Sequence, residues 1–358
     1  MKNTKYFILI LFSFSFSFSA NSQDLVRKNE RILTDEMLKC AWSAMDQTYF
    51  SDVNKNSLAK GERLYSPDNL SSERKPARKI PWNVSNDFVV KVDTGLNHTG
   101  GRAIIYENRK SSAIMISMMG TNGEDDARGW EENFRDMALL QFIKYGDAGP
   151  VRALFSLERI VMDEVRAMTK IDRRNGIIPI IIFVGDSKGG AQAQALMASY
   201  LRYRDDFKNV MAEINLNYDP SEYVPNEKLA LVAHSAPGAV DAIKVKGYDT
   251  SVERYSGIEM HYSFAYNKYY PEFVSTLGEY LGVGKENPDA EVVKYKTHYM
   301  SVKDMHRLVV SGYTYFENGG DFMKMEHTKK PIWLRKTQGL SDTLNAIKEV
   351  LGGKSIKD

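Results

Sequence analysis

From residue 177 onward, apolar runs rich in β-branched residues alternate with stretches of helical periodicity. The predicted strands are 177–184, 228–234, 258–266 and 291–298, and the predicted helices are 188–204, 238–244, 270–281 and 301–316. A helix between two strands returns the chain to the edge where the first strand began, so the two strands are parallel. The alternation predicts an α/β fold with a mostly parallel central sheet and helices on both faces.

The region before this alternation predicts antiparallel edge strands for the same sheet. Residues 87–94 and 101–110 read as two strands joined by the turn "NHTGG", which is typical of a hairpin. A more continuously apolar run at 112–121 predicts a buried strand. Further helices are predicted over 129–145 and 151–171, and a capped amphipathic helix begins at Ser341.

The N-terminus has the features of an export signal. Lys2 and Lys5 precede an apolar run shorter than the roughly 20 residues needed to span a bilayer, and Ala20 and Ser22 are the small residues of a signal-peptidase site. We expect cleavage after Ser22 and a secreted or periplasmic protein, with a retained membrane anchor as the alternative. The predicted organisation is a signal peptide at 1–22, a helical and irregular lead-in at 23–83, and an α/β domain at 84–352.

Composition and charge fit an exported globular protein. The 358 residues are 43% hydrophobic, which is enough for a well-buried core. Residues 1–22 contain two of the 48 basic residues and none of the 46 acidic ones, so the mature chain is formally neutral. Neutrality without a basic block argues against nucleic acid as a partner. The single cysteine, Cys40, lies among apolar residues at helical spacing and is predicted to be a buried thiol.

The strongest chemical signal is a Gly-x-Ser-x-Gly sequence at the junction of a predicted strand and a predicted helix. It runs from Gly185 to Gly189, directly after strand 177–184. A serine on such a turn projects its hydroxyl at the carboxyl edge of the sheet, where α/β proteins bind ligands. Ser187 is therefore the candidate nucleophile, with a purely structural turn as the alternative.

A nucleophilic serine needs a base and donors for an oxyanion. The expected position of the base is after the last strand, and His306 lies there in the first turn of a predicted helix. His298, at the end of that strand, is the rival, and His327 is a third choice. Thr121 comes after a predicted strand at 112–119 and Gly120, at the turn where a second oxyanion donor is expected.

The loop after Thr121 is acidic. Glu124, Asp125 and Asp126 can attract a hard cation, but they lack the spaced ligands of a defined calcium loop. We therefore predict no metal and no cofactor.

Several stretches resemble class 3 lipases, the fungal triacylglycerol lipase type. "MMGTNGEDDARGWEENF" is similar to the strand and turn that carry the family's hole-forming Ser or Thr, and "GDSKGGAQAQAL" resembles its "GHSLGGALA" elbow. "ALVAHSAPGAVDA" and "FAYNKYYPEF" resemble the next two strands. "AEVVKYKTH" and "DMHRLVVSGY" resemble the last strand and the region that carries the base. The resemblance spans roughly residues 84–320 and implies an α/β-hydrolase-like fold.

The resemblance also implies roles for individual residues. Ser187 would be the nucleophile and His306 the base, and the hydroxyl of Thr121 and the N–H of Lys188 would be the oxyanion donors. Asp186 and Lys188 stand where the family has His and Leu, so the elbow of this chain is more polar.

The sequence departs from the family at the triad acid. Lys268 stands three residues before Pro271, where the family has aspartate. An acid orients the imidazole and stabilises its charged form, and its loss typically lowers turnover about 10⁴-fold. Glu272, Asp241 and Asp249 are the candidates to replace it.

Two function hypotheses follow from these residues. The first is a secreted serine hydrolase of the lipase or esterase type that cleaves carboxylic esters through an acyl-enzyme on Ser187. Its partner would be a small-molecule or lipid ester, and this hypothesis is compatible with peripheral contact with a membrane or the cell envelope. A thioesterase or peptidase would use the same machinery. The second hypothesis is a non-catalytic α/β-hydrolase-like binding or envelope protein that has lost the triad acid.

Overall fold

The computed structural model describes the residues that form the sheet and the helices packed on it. These residues are 31–50, 58–64, 84, 87–95, 101–120, 152–213, 219–266, 278–285, 287–296 and 322–324. The predicted signal peptide and the helices predicted over 129–145, over 301–316 and from Ser341 lie outside the described residues.

The described strands form one sheet, and their order across the sheet is their order along the chain. They are β1 (Phe88–Asp93), β2 (Ala103–Asn108), β3 (Ala113–Met118), β4 (Ile180–Asp186), β5 (Leu229–His234), β6 (Glu259–Tyr266), β7 (Ala290–Lys296) and β8 (Phe322–Lys324). Strands β3 to β7 are parallel. Antiparallel strands lie at both edges, with β1 and β2 at one and β8 at the other. The predicted sheet is therefore confirmed.

Helices cover both faces of this sheet, as predicted. The α-helices of the described ranges are α1 (Asp35–Phe50), α2 (Arg152–Arg174), α3 (Lys188–Glu213) and α4 (Val240–Val245). Crossovers between parallel strands are right-handed, and each new strand adds on the same side of the last, so α2 to α4 share one face. Their buried side chains pack with one alternating set of strand side chains, and those of α1 pack with the other set.

Helix α1, from the predicted lead-in, is part of the core. Trp42 and Met45 are fully buried and belong to the same apolar cluster as Val184 of β4 and Val232 of β5. Cys40 is buried in this cluster, as predicted. No helix of the described ranges has the length and apolar content needed to cross a membrane.

The structure differs from the predicted elements at several ends. Strand β4 begins after Pro179, which has no N–H to pair, and continues two residues beyond the predicted end at 184. The helix predicted over 270–281 is wrong at its last four residues, where Gly278 has φ of +79° and the chain turns. Strand β8 was not predicted, because three residues are too few to show a period.

Candidate active site

Ser187 occupies the one-residue junction between β4 and α3. Strand β4 ends at Asp186 and α3 begins at Lys188. The φ of Ser187 is +54°, a left-handed conformation that costs an L-residue roughly 1–2 kcal/mol. Its N–H donates to the carbonyl oxygen of His234 at 2.9 Å, which fixes the turn to the end of β5. A strained serine at the carboxyl edge of a parallel sheet is the geometry of a nucleophile elbow.

The glycines of the elbow are required by close backbone packing. A methyl group on Gly185 would overlap the carbonyl of Gly189 on the first turn of α3. A methyl group on Gly189 would overlap the carbonyl oxygen of Met118, at the end of β3. Only hydrogen fits at either position, so the two glycines let β3, β4 and α3 converge below Ser187.

Lys188 provides the first turn of α3. Its side chain is buried, and its backbone lies at the N-terminus of a 26-residue helix. The N–H groups of such a terminus carry partial positive charge, which suits them to an oxyanion. The predicted role of Lys188 as an oxyanion donor stays a prediction.

The turn that leads to Thr121 lies against the elbow. Thr121 itself is outside the described residues, but Gly120 directly precedes it. A methyl group on Gly189 would lie 2.9 Å from the Gly120 amide nitrogen, and one on Gly120 would lie 2.6 Å from the Asp186 carbonyl oxygen. The structure thus brings the start of the predicted oxyanion turn to Ser187.

The predicted bases His298, His306 and His327 lie outside the described residues. His234 and His261, which are described, were not predicted as bases. His234 is fully buried on the α1 face, with its ring centroid 4.2 Å from that of Trp42. His261 is buried on β6, with Nδ1 3.7 Å from Glu291 Oε2.

The two candidate acids among the described residues, Asp241 and Asp249, lie toward opposite edges of the sheet. Asp241 lies in the first turn of α4, shortly after the carboxyl end of β5, and is exposed. Asp249 lies on the return path to the start of β6, where its backbone carbonyl accepts from Tyr255 Oη at 2.7 Å. That is the edge opposite Ser187, a position that does not favour Asp249, and its role as the triad acid stays a prediction. Glu272 and Lys268 lie outside the described residues.

Another strained serine, Ser235, was missed because no glycines flank it at the spacing of an elbow. It follows β5 as Ser187 follows β4, and its φ is +44°. Its Oγ lies 3.1 Å from Nε2 of His234, whose Nδ1 lies 3.3 Å from Ser263 Oγ. These side chains are buried, so they form a polar layer inside the protein beside the elbow.

Tyr49 on α1 is another neighbour of the elbow that was missed. Its hydroxyl donates to Asp186 Oδ2 at 3.0 Å. Burial raises the pKa of Tyr49 well above its ordinary value, and the nearby Asp186 charge raises it further. The phenol therefore stays a hydrogen-bond donor. Among the described residues, no group of His, Cys and carboxylate side chains is arranged to hold a metal ion.

Comparison with solved structures finds fungal lipases. A triacylglyceride lipase of Rhizomucor miehei has a TM-score of 0.36 at 11% identity, over 74% of this chain and 82% of that one. A triacylglycerol lipase of Penicillium expansum has 0.36 at 10%, over 71% and 76%. A mono- and diacylglycerol lipase of Aspergillus oryzae has 0.34 at 15%, over 65% and 72%.

The chain is similar to fungal triacylglycerol lipases. This is the type of protein that its motifs resemble. No family model matches the sequence, and no curated protein matches it. The strand order and the Ser187 turn give the chain an α/β-hydrolase-like fold.

Proposed function

We propose that the protein is an exported serine hydrolase of the lipase or esterase type, with Ser187 as its nucleophile. The observation that carries the proposal is the left-handed Ser187 at the carboxyl end of β4, on a turn where Gly185 and Gly189 leave no space for a side chain. A strained position filled by serine rather than glycine is what a projecting nucleophilic hydroxyl requires.

The proposed reaction has two acyl-transfer steps. Ser187 Oγ attacks the ester carbonyl carbon while His306 takes the hydroxyl proton, and the Thr121 hydroxyl and the Lys188 N–H hold the oxyanion. The C–O bond to the alcohol breaks, and the alcohol leaves with the proton from His306. Water then attacks the acyl-enzyme with His306 again as base, and it releases the carboxylic acid and free Ser187.

The proposed substrate is a carboxylic ester of a small molecule or a lipid. The N-terminal sequence supports export, and we propose a secreted or periplasmic location with peripheral contact to a membrane or the envelope. For the triad acid, Asp241 lies beyond the same strand edge as Ser187, and Glu272 follows Pro271 in the sequence.

A fluorophosphonate probe tests the proposal, because it phosphonylates an activated serine and leaves ordinary hydroxyls unmodified. We expect the mature protein, recovered from the periplasm or the medium, to be labelled and to hydrolyse p-nitrophenyl butyrate. Ser187→Ala should abolish both. Ser235→Ala is the matched control, because it removes a strained serine at the adjacent strand end and should leave labelling intact.

Labelling that survives Ser187→Ala would contradict the proposal, as would a labelled protein found only in the cytoplasm. The second candidate function is a non-catalytic binding or envelope protein. Lys268 at the position of the family's acid favours it, and so does the location of Asp249 at the opposite edge. A folded wild-type protein with neither labelling nor hydrolysis would support this second function.

A further inference from the structure

Tyr49 joins two parts of the candidate site that are far apart in sequence. It lies in the last turn of α1, 137 residues before its hydrogen-bond partner. Its hydroxyl donates to the carboxylate of Asp186, the residue immediately before Ser187, at 3.0 Å. Asp186 is buried, so the phenol supplies a hydrogen bond to a carboxylate that water does not reach freely.

The same phenol oxygen lies against the oxyanion turn. A methyl group added to Gly120 would overlap Tyr49 Oη, and the Gly120 backbone hydrogen-bonds this oxygen. Gly120 directly precedes Thr121. One hydroxyl therefore contacts the residue before the nucleophile and the residue before the candidate oxyanion donor.

The end of α1 is held in place by a buried arginine. Arg102 is 1% exposed and donates from Nη1 to the carbonyl oxygen of Thr48 at 2.6 Å. Its Nε donates to Asp93 Oδ1 at 2.9 Å, and Asp93 and Arg102 form a buried ion pair. The Arg102 carbonyl oxygen accepts from the N–H of Met119 at 3.0 Å. Arg102 thus binds Thr48, the residue before Tyr49, through its side chain. It binds Met119, the residue before Gly120, through its backbone.

We propose that Tyr49 is a positioning residue that sets the distance between Ser187 and the oxyanion turn. This inference rests on the proposed function. Its phenol acts through Asp186 on the nucleophile and through Gly120 on the turn, and it touches no reacting atom. An error in this distance weakens oxyanion stabilisation in the transition state but leaves substrate binding unchanged.

Tyr49→Phe tests this role, because it removes only the hydroxyl. We expect kcat for p-nitrophenyl butyrate to fall about 10- to 100-fold, the range for a small displacement of catalytic groups. KM should stay within about twofold, since the ester is still bound. Asp186→Asn is the second variant. It keeps the side-chain shape but weakens the acceptor, so kcat should fall in the same direction with KM again unchanged.

Tyr106→Phe is the matched control. Tyr106 lies on β2, away from the elbow, and its hydroxyl donates to Oε1 of Gln47 on α1 at 2.9 Å. Tyr106→Phe therefore also removes a hydrogen bond to α1. We expect a similar drop in melting temperature from both Tyr→Phe changes and a fall in kcat only from Tyr49→Phe.

The outcomes separate the two proposals. Turnover that depends on Ser187 in the wild type but is unchanged in folded Tyr49→Phe overturns the positioning role alone, and so does an equal fall of kcat in Tyr106→Phe. Should Tyr49→Phe not fold, Asp186→Asn decides in the same way. Absence of Ser187-dependent turnover in the wild type overturns both proposals, because no reaction is then left for Tyr49 to serve.

Discussion

At the scale of single residues, close backbone packing fixes the conformation of the elbow around Ser187 and leaves no space for a side chain at Gly185 or Gly189. Ser187 keeps a φ of +54° because its N–H is bonded to His234 and the glycines on either side allow three backbones to meet. The conformational cost of the left-handed residue is thus offset by packing that other residues at Gly185 and Gly189 would prevent.

Gly189→Ala should therefore destabilise the protein strongly. The new methyl group overlaps the carbonyl oxygen of Met118, a backbone atom that cannot move without disturbing β3. We expect a loss of about 2–3 kcal/mol in the free energy of unfolding, measured by urea denaturation.

Gly176→Ala is the control for this prediction. Gly176 has φ of +76° and open space around it, so alanine there adds backbone strain of about 1 kcal/mol and no overlap. Equal losses from the two substitutions would contradict the packing explanation.

The sequence allowed Ser187 to be predicted, since glycines at fixed spacing after an apolar run mark an elbow. Ser235 carried no such mark. The role of Tyr49 was also hidden, because α1 reaches the elbow only through tertiary packing on the α1 face. Contacts between elements leave no local pattern in a single sequence, whereas turns and periods do.

At the scale of elements, α3 connects the elbow to two neighbouring loops through one side chain. Gln194, in the second turn of α3, is buried and donates from Nε2 to the Pro237 carbonyl at 3.0 Å. Its Oε1 accepts from the N–H of Ala239 at 3.3 Å and of Leu281 at 3.2 Å. These loops follow β5 and precede β7, so Gln194 ties α3 to both of them.

Gln194→Leu should destabilise the protein by about 2–4 kcal/mol, because it leaves two buried N–H groups and a buried carbonyl oxygen without their hydrogen-bond partner. Thermal or urea unfolding measures the change. Tyr203→Leu, at an exposed position of the same helix, should stay within about 0.5 kcal/mol. A loss from Gln194→Leu no larger than this would show that the loops do not depend on the glutamine.

The strand prediction succeeded where elements were long. Parallel strands β4 to β7 were predicted from apolar runs separated by helices, and β3 was predicted as a buried strand; all five are present. The helix predicted over 270–281 is wrong at residues 278–281, because the chain at Gly278 packs backbone against backbone. A methyl group on Gly278 would lie 2.8 Å from the Gly238 carbonyl oxygen. That close approach is a property of the fold and cannot be seen in apolar periodicity.

At the scale of the whole molecule, charges join the start of the described chain to strands β6 and β7, toward the β8 edge of the sheet. Arg31 Nη2 donates to Glu291 Oε2 at 2.8 Å, and Glu291 also pairs with His261. The His261 ring, with Nδ1 3.7 Å from Glu291 Oε2, and the charge of Arg31 lower the pKa of Glu291 to about 2, against the opposing effect of burial.

This pairing predicts acid sensitivity. The folded pKa of Glu291 lies below its ordinary value of 4.5, so its contribution to stability is complete above that value and is lost as the pH falls toward 2. Glu291→Gln should therefore lower the free energy of unfolding at pH 6 but leave it close to wild type near pH 2. Urea denaturation at several pH values measures this, and a difference independent of pH would contradict it.

The packing of α1 also determines when its face of the sheet can form. Helix α1 is synthesised before every described strand of the sheet. The hydrogen bond of Tyr49 with Asp186 forms only after Asp186 is synthesised, and that of Arg31, just before α1, needs Glu291, 260 residues later. The crossover helices, by contrast, lie next in sequence to the strands they join. The contacts on the α1 face therefore have a higher contact order than those on the crossover face. A long loop must close before the contacts of α1 can form. Among the helices of the described ranges, we therefore expect the one made first to dock last.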